Sequence, residues 1–225
     1  MKNAVIGLSC LLMTLSTTVR AQNIDFGVTT GFQFAYWGMS DIPNSLGRLG
    51  FMVGGHSSIF LNDRLVIKPA LLFSQKGTWF TGVPNQPTSG FYSLTSDYLS
   101  VPVLAKFYVT KGLHVQAGPQ VSYLLFSKSK QGGEEQANLK ERGYIKSLDV
   151  GAVFGLGYEF KSTFTIGMNF DVSFVDIIDN RAGLEEHVRN ELEWIESDKR
   201  FPKDLHNWAL QFTFSYNFTK NRSAF

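Results

Sequence analysis

The chain has almost no cysteine and little net charge. Cys10 is its single cysteine, and 21 basic against 19 acidic residues leave a formal net charge of +2. One thiol cannot form an internal disulfide or supply a set of thiolate metal ligands. Nucleic-acid binding relies on clustered positive charge, which a nearly neutral chain lacks. We therefore expect no disulfide framework, no cofactor and no nucleic-acid partner.

Long apolar runs are also scarce, and the one present lies at the N-terminus. Lys2 precedes an apolar stretch from Ala4 to about Leu15, and Val19-Arg20-Ala21 then resembles a signal-peptidase site. We predict a signal peptide over residues 1–21 and one domain over 22–225. Later runs all fall short of the ~18 apolar residues that a membrane-spanning helix needs. Cys10 lies within the predicted leader, so the mature chain would contain no cysteine.

What the sequence does contain is alternation of large apolar residues with small or polar ones. In "WALQFTFSYNF", from Trp208 to Phe218, every second residue is apolar. This period of two places one set of side chains on one face of a β-strand. The pattern predicts eight strands, at 26–36, 51–61, 65–73, 99–107, 113–125, 148–160, 164–174 and 208–218.

The connections between these strands alternate in length. Three are tight turns, at Asn62-Asp63, Thr110-Lys111-Gly112 and Lys161-Ser162. Four are long, at about 37–48, 77–97, 127–146 and 177–205. This plan predicts an all-β fold, an eight-stranded antiparallel up-and-down transmembrane β-barrel with short periplasmic turns and four long extracellular loops. We expect it in the bacterial outer membrane, with both termini in the periplasm and membrane lipid around it.

An eight-stranded barrel can also occur in water, with its apolar face inward. The less apolar face here is rich in glycine and carries few charges, which favours a crowded interior rather than a wetted surface. Aromatic residues also gather toward both strand ends, as a bilayer selects. Those expected at the long-loop end are Trp37, Trp79, Tyr98, Phe126, Tyr144, Phe174 and Trp208. The apolar face is therefore predicted to contact lipid.

Ionisable residues also occur on the face predicted to point inward. They are Lys68, Lys106, Asp149, Glu159 and Asp171. Such a set can form an ion path, or it can pair and fill a lumen that has room only for side chains. We expect paired charges, because both signs are present.

A lipid-modifying enzyme is a further alternative for a small barrel. It would need a nucleophile, a histidine base and an orienting acid together at the outer rim. His206 with Ser173 or Ser127, and Asp176 or Asp204, are the candidates, but nothing in their spacing requires this arrangement. The sequence therefore predicts a protein that is not an enzyme.

The fourth long loop has a helical pattern. Leu184, Val188, Leu192 and Ile195 recur at helical spacing between charged residues, and Asn180 is a candidate helix start. Such an apolar stripe would either fold over the barrel mouth or bind another protein. We predict these four residues as a partner-binding segment.

The central hairpin "YLSVPVLAKFYVTKGLHVQAGPQVSYLL", Tyr98 to Leu125, resembles the PorT family of outer-membrane β-barrel proteins. So do "LNDRLVIKPALLFSQKG", "SLDVGAVFGLGYEF" and the closing "LQFTFSYNF". The resemblance implies a barrel, no catalytic residue, and a possible accessory role in type IX secretion. We expect a structural or partner-binding barrel engaging an envelope or secretion-machinery protein, with a lipid-modifying enzyme and a small-solute channel as alternatives.

Overall fold

The computed structural model describes residues 24–37, 45–80, 92–131, 134–160, 163–191 and 204–218. They form nine strands and one helix. The strands are β1 (Ile24–Trp37), β2 (Ser45–Phe60), β3 (Leu65–Phe80), β4 (Tyr92–Tyr108), β5 (Leu113–Gln131), β6 (Glu134–Asn138), β7 (Leu148–Phe160), β8 (Phe164–Ser173) and β9 (Asn207–Asn217), and the helix is α1 (Arg181–Glu191). Within these residues, no helix has the length and apolar character to cross a membrane.

Eight of the strands close into a barrel. Adjacent strands of the ring pair antiparallel, and β7 pairs with residues 113–123 of β5. Because β9 also pairs with β1, the ring has no free edge. The short β6 lies outside this ring and pairs only with residues 128–131 of β5. The predicted eight-stranded up-and-down barrel is confirmed. β6 was not predicted, because its polar sequence shows no alternation of apolar and polar residues.

Side chains alternate between the two faces of the wall. Along β8, Phe164, Ile166, Met168 and Phe170 point outward and are exposed, and the residues between them are buried. The outward set is large and apolar, and the inward set is small or polar. This distribution is the reverse of that in a water-soluble barrel, and it is what a lipid-facing wall requires.

The tight turns lie at one end of the barrel. The Leu61 amide donates to the Leu65 carbonyl at 3.0 Å, and the Val109 amide donates to the Leu113 carbonyl at 2.9 Å. Gly112 has a φ of +88°, a conformation that glycine adopts at little cost. The predicted third turn, Lys161-Ser162, lies outside the described residues, between the paired ends of β7 and β8.

At the opposite end the wall is taller than predicted. β3 and β4 stay paired up to Phe80 and Tyr92, so residues 77–80 and 92–97 of the segment expected to be a loop lie in strands. Apart from the exposed Trp79, outward positions there are small or polar, and the Gln75 amide donates to the Asp97 carboxylate at 3.0 Å. Alternation of apolar and polar residues therefore stops while the strands continue, which is why the sequence pattern ended them too early.

Two of the aromatic residues predicted for the outer belt point inward instead. Trp37 and Tyr98 are fully buried, whereas Trp79, Phe126, Phe174 and Trp208 are exposed as expected. Tyr144 is partly buried against a cluster of apolar residues at this end of the barrel. A register shift between β4 and β5 at Asp97/Tyr98 alters the alternation there and turns Phe126 outward. Aromatic content near a strand end therefore did not by itself indicate lipid contact.

Candidate functional site: a filled lumen and an ordered outer cap

The part of the lumen farther from the tight turns contains a buried ion cluster centred on Lys76. Its Nζ lies 2.7 Å from Asp171 and 4.0 Å from Asp149, and all three side chains are at most 5% exposed. Lys76 was absent from the predicted set, because it lies beyond the last residue assigned to that strand. Continuing the two-residue period from Lys68 along β3 would have placed it inward.

The two carboxylates of this cluster accept further hydrogen bonds. Gln120 and Gln211 donate to Asp171 at 2.9 and 3.3 Å. Asn207 donates to Asp149 at 2.9 Å, and the Ser173 hydroxyl also donates to Asp149. One ammonium cannot neutralise two carboxylates, so these donors stabilise the excess negative charge. The cluster links five strands across the lumen.

A second ion cluster lies near the tight-turn end. Lys106 Nζ is 3.3 Å from Glu159, and the Tyr108 hydroxyl donates to the same carboxylate. The His114 ring packs 5.3 Å from the Tyr108 ring, and His114 Nδ1 lies 3.3 Å from the Gly112 carbonyl. These side chains are all buried and occupy the lower lumen.

Lys68 lies between the two clusters. Its ammonium donates to the Ser215 hydroxyl at 3.0 Å, and among the described residues it has no ion pair within 4.0 Å. It lines a cavity of about 30 Å³ together with Gln116 and Asn169. A cavity of this size holds about two waters at most. Four of the five predicted ionisable residues are thus paired, in two separate clusters.

At the end of the barrel opposite the tight turns lies an apolar core, here called the cap core. The barrel contributes Trp37, Leu94, Tyr98 and Leu124, all fully buried. The connecting segments contribute Ala137, Leu139, Ile145, Ile177, Ile178, Leu184 and Leu205. Long loops of this barrel therefore fold together over its mouth.

Polar contacts hold the base of the fourth loop. The Asp176 carboxylate accepts from the Ile178 amide at 3.2 Å and from the Leu205 amide at 3.0 Å. Its other oxygen pairs with Arg181 at 3.0 Å. Because Ile178 and Leu205 flank the loop on its two sides, one carboxylate ties together the exit from β8, the start of α1 and the entry to β9.

Helix α1 packs against the cap core through one face. Asn180 caps it by accepting from the Gly183 amide at 3.1 Å, which confirms the predicted start. Leu184 is 1% exposed within the cap core, and His187 Nε2 lies 3.2 Å from the Ser129 hydroxyl of β5. The side chain of Val188 and the whole of Leu192 and Ile195 lie outside what the structure describes.

The residues considered for an enzyme take part in other contacts. The Ser127 hydroxyl pairs with Ser96 at 2.9 Å, and Ser173 donates to Asp149. His206 Nδ1 has no hydrogen-bond partner among the described residues. In the same part of the chain, no group of three or more His, Cys, Asp or Glu is placed to hold a metal ion.

A closed eight-stranded wall, an apolar outward face and a filled polar lumen together define an outer-membrane β-barrel. The chain belongs to the family described as the outer membrane protein beta-barrel domain, whose model matches residues 20–179. It is therefore a bacterial outer-membrane protein. No curated protein matches the chain in sequence.

Solved structures of three other proteins align with this chain. Neisserial surface protein A aligns with a TM-score of 0.51 at 12% identity, covering 86% of this chain and 97% of that one. Ail, the attachment invasion locus protein of Yersinia pestis, gives 0.44 at 11%, covering 87% and 99%. OprG from Pseudomonas aeruginosa gives 0.36 at 10%, covering 87% and 94%. At 12% identity, the match to neisserial surface protein A shows the fold and no more.

Proposed function

We propose that this barrel is a non-conducting, non-catalytic scaffold whose outer cap binds another envelope protein. The observation that carries the proposal is the cap core, in which residues of separate connecting segments pack over the mouth. The ring of eight strands is closed by hydrogen bonds between those strands, and these segments add no strand to it. Ordered loops on a rigid wall are typical of binding surfaces.

We propose the type IX secretion machinery as the specific partner and the cell exterior as the location of the cap. The resemblance of Tyr98 to Leu125 to the PorT family supports the partner. The arrangement of tight turns at one end and long connections at the other supports an external cap and periplasmic termini, as in other bacterial barrels.

The outward face of α1 is the surface we assign to the partner. Ala182 and Glu186 are exposed, whereas Leu184 and His187 are buried against the cap. The predicted stripe of Leu184, Val188, Leu192 and Ile195 thus begins inside the cap core. We propose that this stripe fixes the helix on the barrel, so that the opposite face meets the partner.

Charge reversal at Glu186 should weaken this contact without disturbing the fold. We expect Glu186→Lys to lower, severalfold, the amount of partner recovered with a membrane-impermeant cross-linker on intact cells. Asp63→Lys makes the same change in an exposed tight turn and should leave recovery unchanged. Heat-modifiable gel mobility should be normal for both variants, because neither side chain contributes to the wall.

A larger change tests the same surface. Replacing residues 183–197 with a short Gly-Ser link should preserve heat-modifiable mobility and remove the cross-linked partner. If the shortened protein keeps every partner, the helix is only a lid and the proposal fails. Failure to insert would show instead that the loop belongs to the barrel fold.

A further inference from the structure

A groove of about 420 Å³ crosses the outward face of β1, β2 and β3, nearer the tight-turn end than the cap. Its lining is dominated by small or apolar residues, and Phe26 and Leu71 form prominent walls with 61% and 54% exposure. The other lining residues are Gly27, Gly55, His56, Ser57, Pro69 and Ala70. The groove is therefore a depression in the apolar outward surface that faces lipid.

The groove coincides with a break in strand pairing. β2 and β3 pair at His56↔Ala70 and again at Ile59↔Ile67, but no pair is formed between these two positions. Pro69 lies in this gap and has no amide hydrogen to donate. Since Gly55 has no side chain and Ser57 has a small one, nothing on β2 fills the space above the gap.

The wall beneath the groove is thin. Ala70 lines both the groove and the 30 Å³ cavity inside the lumen. His56 is also a lining residue of the groove, but its ring nitrogens lie 2.9 Å from Thr29 Oγ1 and 2.9 Å from Asn217 Oδ1 on the lumen side. The groove therefore offers mainly carbon atoms to an occupant, with no charged side chain among its lining residues.

We propose that this groove binds one acyl chain of a membrane lipid, in the leaflet at the tight-turn end. The groove is continuous with the apolar belt that faces lipid, so hydrocarbon reaches it directly. An unfilled groove would deprive its lining atoms of packing contacts, whereas a flexible chain restores them. The bound chain would also cover the thin wall that separates hydrocarbon from the polar lumen.

Gly55→Leu tests the proposal by filling the groove from within. A Cβ built on Gly55 meets only the Gly27 carbonyl, at 3.9 Å, so a side chain there displaces the occupant and not the backbone. Ala117→Leu adds the same side chain at an exposed outward position on β5 and is the matched control. Native mass spectrometry of protein released from phosphatidylethanolamine nanodiscs counts the lipids that remain bound.

We expect one lipid per barrel to survive release from wild type and from Ala117→Leu, and none from Gly55→Leu. Ser57→Leu fills the groove from a second position and should also retain no lipid. This second variant tests the proposal if Gly55→Leu fails to fold. Equal lipid retention by folded groove-filled variants and wild type would overturn the proposal. So would a dimer of wild type that Gly55→Leu abolishes, since the occupant would then be a second copy.

Discussion

Lys76→Met should lower the free energy of unfolding of the barrel by about 3–5 kcal/mol, the cost of leaving a buried charge without its partner. The substitution keeps a long unbranched side chain, one heavy atom shorter, but leaves Asp171 and Asp149 as two buried carboxylates with no cation within 4.0 Å among the described residues. Urea-dependent refolding into detergent micelles, followed by heat-modifiable mobility, measures the change.

Lys130→Met is the matched control for this prediction. Lys130 is exposed on β5 above the apolar belt, so the same change there should cost less than about 0.5 kcal/mol. Combining Lys76→Met with Asp171→Asn should recover part of the loss, because the two residues are in direct contact. Equal effects of the two methionine variants would show that the Lys76 cluster does not stabilise the barrel.

Phe170→Arg should cost about 2–4 kcal/mol, as expected for arginine on the lipid face near the bilayer midplane. Phe170 points outward on β8, and its ring packs edge-on against Trp208 at 5.8 Å. The same refolding measurement applies. Arginine in this position must extend toward a distant interface or draw water into the hydrocarbon, which is the source of the cost.

Phe174→Arg tests whether the destabilisation by arginine depends on the depth of the residue in the membrane or only on the substitution of phenylalanine. Phe174 is exposed just beyond the outer end of β8, where the cost of arginine falls to about 0–1 kcal/mol. If Phe174→Arg costs as much as Phe170→Arg, the assigned position of the bilayer is wrong. If neither variant costs anything, the outward face does not contact hydrocarbon.

The barrel wall was predictable from sequence because each spanning strand repeats a two-residue pattern that lipid on one side and a crowded lumen on the other impose. The ends of β3 and β4 far from the tight turns were not, since polar residues such as Gln75 and Asp97 occupy the outward face there, where the strands leave the hydrocarbon. Lys76 was missed for the same reason, although its position continues the inward series of Lys68.

The outer cap was only partly predictable. The start of α1 followed from Asn180, and the burial of Leu184 followed from its place on an apolar stripe. The cap core also needs Ile145, Ile177 and Leu205, which come from separate segments and show no periodicity of their own. These residues come together only when the barrel closes, and closure cannot be predicted from the local sequence pattern of any one segment.

We propose that this outer-membrane barrel is closed to ions and serves as a scaffold. Current through purified protein reconstituted in planar bilayers tests it most directly. The filled lumen, with Lys76 paired to Asp171 above and Lys106 paired to Glu159 below, predicts no steady conductance at any applied voltage. Regular conductance steps in the wild type that disappear with Lys106→Ala would show that ions pass through the lumen, and would contradict the account.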